Sequence, residues 1–285
     1  INPMLGSLVR ASEVAMRATR EEEFFNKDFY RFTAEHLPCN PKMLSESNME
    51  QFNNFKDASE RYKLILDENI HQRKRELVQS VKYQVFVATC NYARTLFDES
   101  GQIGFDSVSS RLSLRTVLEA YVNVEFMINT ESEHPEIWSD FQEYGESAFR
   151  KLAGEIDQHS NEAERLPSEF DSRIINILSQ EHKAERYGEI DFKYFADKKI
   201  KDKFKLTGHE SLYQTYYEFG TAFTHAYWGA IRLSATYFCD EPLHGNHVSV
   251  EPNIKNEQYS TLDDYVYIMD KLISLFQKTF PNLEV

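Results

Sequence analysis

The sequence predicts an all-α protein, an irregular bundle of about seven or eight helices, one of them very long. Three observations predict it. Only 10 Gly and 8 Pro punctuate 285 residues, too few for a fold of many short strands. The stretch from Ser47 to Phe97 contains neither. Apolar residues also recur at helical spacing in segment after segment, with no repeat of fixed period. The one place that alternates like a strand is HVSVEP at 247–252, which predicts a small β-hairpin near 246–252. All of residues 1–285 read as a single helical domain.

In chain order, Leu5 to Phe25 is an amphipathic helix with Leu8, Val9, Val14 and Met16 as its apolar positions. Pro38 and Pro41 make Leu37 to Lys42 a loop. Ser47 to Phe97 then forms one very long helix, or two broken near Ile70–Arg73. Its first half carries Lys56, Asp57, Glu60, Arg61, Lys63, Asp67 and Glu68, so residues 47–75 are either a solvated face or a charged helix projecting from the body. Two glycines mark Asp98 to Gly104 as a loop.

Val108 to Ile128 is apolar around most of its circumference, which places it in the core. Arg111, Arg115, Glu119 and Asn123 fall four apart on it and form one polar row that must find partners. His134-Pro135 starts a helix over Glu136 to His159, and Ser168 to Tyr187 is a further one. Gly188 to Gly208 is irregular and interleaves Lys193, Lys198, Lys199, Lys201, Lys203 and Lys205 with aromatics. That pattern suits either single-stranded nucleic acid or a surface helix whose aromatics pack inward. Glu210 to Phe238 is a second principal helix, with Tyr213, Tyr217, Thr221 and His225 in a row at the same four-residue spacing, and Thr261 to Phe280 closes the chain.

The two polar rows define the candidate site. A guanidinium has five donors, so Arg115 on a buried helix needs acceptors beyond Glu119. The imidazole of His225 also needs partners, and Glu119 or Tyr217 can supply them if the two helices are adjacent. The expected cluster is therefore Arg115, Glu119, Tyr217, Thr221 and His225. It is either a buried network holding two helices in register or the binding site of a small anionic ligand.

The segment RTVLEA at Arg115–Ala120, followed by Tyr217, Thr221 and His225, resembles the domain of unknown function 5677, an uncharacterised and mainly prokaryotic helical family. The family's pattern sets an Arg and a Glu one turn apart, before a Tyr–Ser–His row at four-residue spacing. Thr221 stands here at the Ser position, which keeps the hydroxyl and adds a methyl group. The resemblance spans about Tyr83 to Tyr237; it implies an all-helical fold and no particular activity.

Other chemistry finds less support. Small prokaryotic helical ribonucleases of the HEPN type carry Arg, four to six residues, then His on one helix, and act without metal in toxin or phage-defence systems. Arg31 to His36 is the single match, no more than chance supplies in a chain with 9 His. Arg115 with His225 is the alternative way to build that pair, an Arg to stabilise a charged transition state and a His for proton transfer.

Asp240, His244 and His247 have metal-like spacing but read as a surface loop, and no cofactor is expected. The three cysteines, Cys39, Cys90 and Cys239, read as reduced thiols of a cytoplasmic protein, with Cys90 in the core. A net charge of −14 argues against nucleic acid and anionic membranes as partners. A second copy of the chain, paired through the long charged helix, is the remaining partner expected.

Overall fold

The computed structural model describes residues 49–158, 194–238, 248–249 and 260–282. The helices expected at Leu5–Phe25 and Ser168–Tyr187 lie outside these residues, as do the loop at Leu37–Lys42, the Arg31–His36 pair, the Asp240–His244–His247 group, Cys39 and Cys239. The architecture is all-α: α1 (Met49–Gln72), the short α2 (Glu76–Gln79), α3 (Val81–Ile103), α4 (Val108–Thr130), α5 (Ile137–Gln158), α6 (Ile200–Leu206), α7 (Glu210–Leu212), a π-helical turn (Tyr213–Tyr217), α8 (Glu218–Thr224), α9 (Trp228–Ala235) and α10 (Leu262–Thr279).

The small hairpin expected near 246–252 is not borne out among the described residues. The two-residue strand Val248–Ser249 instead pairs antiparallel with Tyr237–Phe238, well upstream. With two residues per strand this is a short bridge on a helical fold.

Of the two readings of the long stretch, the one broken near Ile70–Arg73 holds, and no single very long helix forms over the described residues 49–97. α1 ends at Gln72, a turn covers 73–75, and α3 starts after the N-cap Ser80, whose side chain accepts from the Tyr83 amide. α1 does not project from the bundle. It lays Ala58, Tyr62, Leu66 and Asn69 into the core and turns its charged residues outward. Asn69 donates to the Phe280 carbonyl (3.0 Å) and accepts from Tyr83 Oη (2.9 Å), which ties α1, α3 and the end of α10 together inside the apolar interior.

α3 runs through Gly101 to Ile103, so the loop expected over 98–104 shrinks to the residues between Ile103 and Val108. Gly101 is not a breaker here. A Cβ at this position would lie 2.2 Å from the Phe55 ring, so the missing side chain makes the space that Phe55 occupies. Gly104 does end the helix, at φ 109°, where an L-residue would be strained. Ser107 then caps α4 by accepting from the Ser110 amide at 3.0 Å.

The core lies among α3, α4 and α10 and is rich in aromatic rings. Phe55, Phe97, Phe105 and Tyr265 pack mutually at 5.2–5.8 Å between centroids, and Phe86 meets Phe276 edge-on at 5.4 Å. Cys90 is fully buried, and burial pushes its thiol well up. No described helix is long and apolar enough to cross a membrane.

The candidate cluster between α4 and the π-helical turn

The segment expected to be one helix over Glu210–Phe238 is broken twice. Tyr213–Tyr217 is wound as a π-helix, and the chain turns at 225–227, where Ala226 adopts φ 50°. π-turns insert extra backbone into a helix and recur at functional sites. Nothing in the residue pattern of YQTYY announced this one. Its local effect is clear: Tyr213 and Tyr217 stack at 5.2 Å and 19°, and Tyr217 is aimed at α4.

There Arg115 is held from three sides. Its Nη2 donates to Tyr217 Oη at 2.5 Å, its Nε donates to Thr221 Oγ1 at 3.3 Å, and its Nη1 lies 3.7 Å from Glu119 Oε2. Tyr217 Oη donates in turn to Glu119 Oε2 at 3.1 Å, while Thr221 Oγ1 donates to the Tyr217 carbonyl at 2.9 Å. Burial and the Glu119 charge push the Tyr217 phenol well up, against the pull of Arg115. The phenol thus stays protonated at neutral pH and can accept from Arg115 while it donates to Glu119.

The guanidinium carbon also stands 4.3 Å from the Tyr217 ring centroid. The i,i+4 ion pair itself is long and partly exposed, worth no more than about 0.5 kcal/mol. The hydrogen bonds to the charged guanidinium, at roughly 1.5–3 kcal/mol each, dominate the cluster.

Packing reinforces this contact. A Cβ on Gly220 would lie 2.8 Å from Arg115 Cβ, 3.2 Å from Cγ and 3.3 Å from Cδ, so the α8 backbone presses directly on the arginine stem. Only Tyr217 is buried; Arg115, Glu119 and Thr221 are half-buried because the cluster sits where α4 and α8 meet at the edge of the core.

His225 does not join the cluster. It is exposed at the end of α8, stacks on Tyr227 at 5.8 Å between centroids, and makes no side-chain hydrogen bond among the described residues. The four-residue row fails at this point because α8 stops at Thr224 and Ala226 turns the backbone away.

The rest of the α4 row is satisfied as well. Arg111 donates to the carbonyls of Asp106 and Ser107 and lies over the Phe223 ring. Asn123 accepts from Lys203 Nζ at 2.9 Å. Lys203 was one of many lysines in its stretch, and nothing in the sequence distinguished it. It is buried on α6, with its ammonium 4.4 Å from the Phe195 ring centroid and 5.6 Å from that of Phe126. Burial pushes its amine down to about 8, partly opposed by the Glu119 charge.

One turn further on, His209 Nε2 lies 2.6 Å from Glu125 Oε2 and 3.0 Å from Tyr121 Oη, a second polar contact that spacing alone did not reveal. Among the described residues no group of His, Cys, Asp and Glu could hold a metal ion.

Neither curated proteins nor solved structures yielded a similar chain. The pattern of a family of unknown function, DUF5677, matches residues 79–241, which is more than half of the 285 residues and contains α3 to α9 together with every member of the cluster. The chain therefore belongs to the DUF5677 family.

Proposed function

We propose that the Arg115–Glu119–Tyr217–Thr221 cluster is a structural clamp that holds α4 and the 213–224 segment in one register. One observation carries this reading: each guanidinium nitrogen of Arg115 already faces a protein partner. A small anionic ligand at Arg115 would compete with the Glu119 carboxylate, 3.7 Å from Nη1, whose charge repels it. A ribonuclease would need an imidazole beside the guanidinium, and the exposure of His225 and its stacking on Tyr227 speak against that arrangement.

Thermal melts of two variants test the clamp. Tyr217→Phe removes the hydroxyl that links Arg115 to Glu119 and is expected to cost about 1–3 kcal/mol. His225→Ala is expected to stay within about 0.5 kcal/mol of wild type. Millimolar inorganic phosphate is expected to leave the melting temperature unchanged. Stabilisation by phosphate that disappears in Arg115→Gln would replace the clamp with an anion site.

A further inference from the structure

On α4 the residues next to the polar row face a different space. Leu114 and Leu118, with Leu212 and Tyr216 from the segment after α6 and Asp264, Tyr267 and Ile268 from α10, line a cavity of about 280 Å³ that opens to solvent. This is close to the lower end of the roughly 300–1,000 Å³ of small-molecule sites. Its floor is aliphatic. Its mouth carries two tyrosine rings, Tyr216 and Tyr267, each about half exposed (46% and 53%). Asp264 is the only charged side chain lining it among the described residues. The π-turn serves both sides at once, since consecutive residues send Tyr217 into the clamp and Tyr216 to the cavity mouth.

We propose that this cavity binds a small organic cation with an apolar body, its ammonium on the Asp264 carboxylate and its body against Leu114, Leu118, Leu212 and Ile268. Three features select that chemistry. A partly buried carboxylate in an apolar wall gains most from a cationic partner: burial and the neighbouring Asp263 raise its pKa, opposed among the described residues by a hydrogen bond from Tyr216. Tyrosine faces attract cations, and Tyr216 and Tyr267 both line the cavity; Lys271 Nζ, 4.9 Å from the Tyr267 centroid, leaves Tyr216 as the ring with no cation over it among the described residues. The chain's net charge of −14 draws cations and repels anions. The inference does not depend on the clamp, which uses other side chains.

The test is titration of the full chain with 2-phenylethylammonium, 2-phenylethanol and phenylacetate, three probes of similar shape that differ in charge, followed by amide chemical shifts. The cation is expected to bind at least ten-fold more tightly than the alcohol, with phenylacetate weakest and the shifts centred on Tyr216 and Asp264. Asp264→Asn, checked by melting, is expected to abolish the advantage of the cation and to leave alcohol binding within two-fold. The exposed Asp263→Asn removes the same charge from outside the cavity and is expected to change the cation's affinity by less than three-fold. Equal binding of cation and alcohol would overturn the proposal. So would equal losses in the two variants, which would mean diffuse attraction to an acidic surface, or shifts centred elsewhere.

Discussion

Replacing Gly220 by Ala sets two well-measured effects against each other. Gly220 lies inside α8 and is not at positive φ, so alanine is compatible with the backbone and improves helix propensity by about 1 kcal/mol. Against this, the new Cβ would stand 2.8 Å from Arg115 Cβ, nearer than real Cβ atoms approach. Arg115 Cβ is anchored to the α4 backbone, so no rotamer change removes the overlap and the two helices must separate. Overpacking of this kind costs about 1–3 kcal/mol, and the fixed neighbour puts Gly220 in the upper part of that range. The net expectation is a loss of about 1–2 kcal/mol, a fall in melting temperature of roughly 2–8 °C.

Gly145→Ala supplies the control. That glycine is also helical, on α5, but an added Cβ there meets nothing within 4 Å. It is expected to stabilise by up to about 1 kcal/mol. Thermal and urea unfolding of both variants measure the contrast. If Gly220→Ala proves as stable as Gly145→Ala, the close approach of α8 to Arg115 is wrong, and the clamp geometry fails with it.

Two further outcomes follow from buried polar groups. Lys203 has an amine displaced from 10.5 to about 8, which corresponds to roughly 3 kcal/mol of disfavoured charge. Below pH 8 the lysine is protonated in both folded and unfolded chains and the cost is fully present. Between pH 8 and 10.5 the unfolded chain binds more protons, so folding stability rises with pH. Lys203→Met is expected to be neutral to stabilising at pH 7, and wild type should gain on it by about 2–3 kcal/mol as pH rises to 10.5; parallel pH profiles would contradict this. Asn69→Ala strands the Tyr83 hydroxyl and the Phe280 carbonyl inside the core and is expected to cost about 2–4 kcal/mol in urea unfolding. A loss below about 1 kcal/mol would mean that both groups find new partners.

The helical architecture was legible in the sequence because helix formation follows local periodicity and the absence of breakers. The apolar α4, the break near Ile70–Arg73 and the need of the Arg115 row for partners all follow from residues a few places apart. The link from Arg115 to Tyr217 and Thr221 was also within reach, since two polar rows on apolar helices have few other ways to be satisfied. His225 could not be placed this way. Its position depends on where α8 stops, and that depends on the left-handed turn at Ala226.

The same limit explains what else was missed. Gly101 looked like a breaker until Phe55 was seen to fill its space, and Lys203 looked like its neighbours until α6 was laid across Asn123. The sequence by itself determined which segments are helices and which faces they must bury, because both depend on spacing along one chain. Tertiary structure alone decided that His225 stays outside the cluster, that Lys203 and His209 find partners on α4, where the π-turn falls and what the cavity presents. Those rest on contacts between residues that, like Asn123 and Lys203 or Leu114 and Asp264, stand 80 or more positions apart, and local pattern carries no information about them.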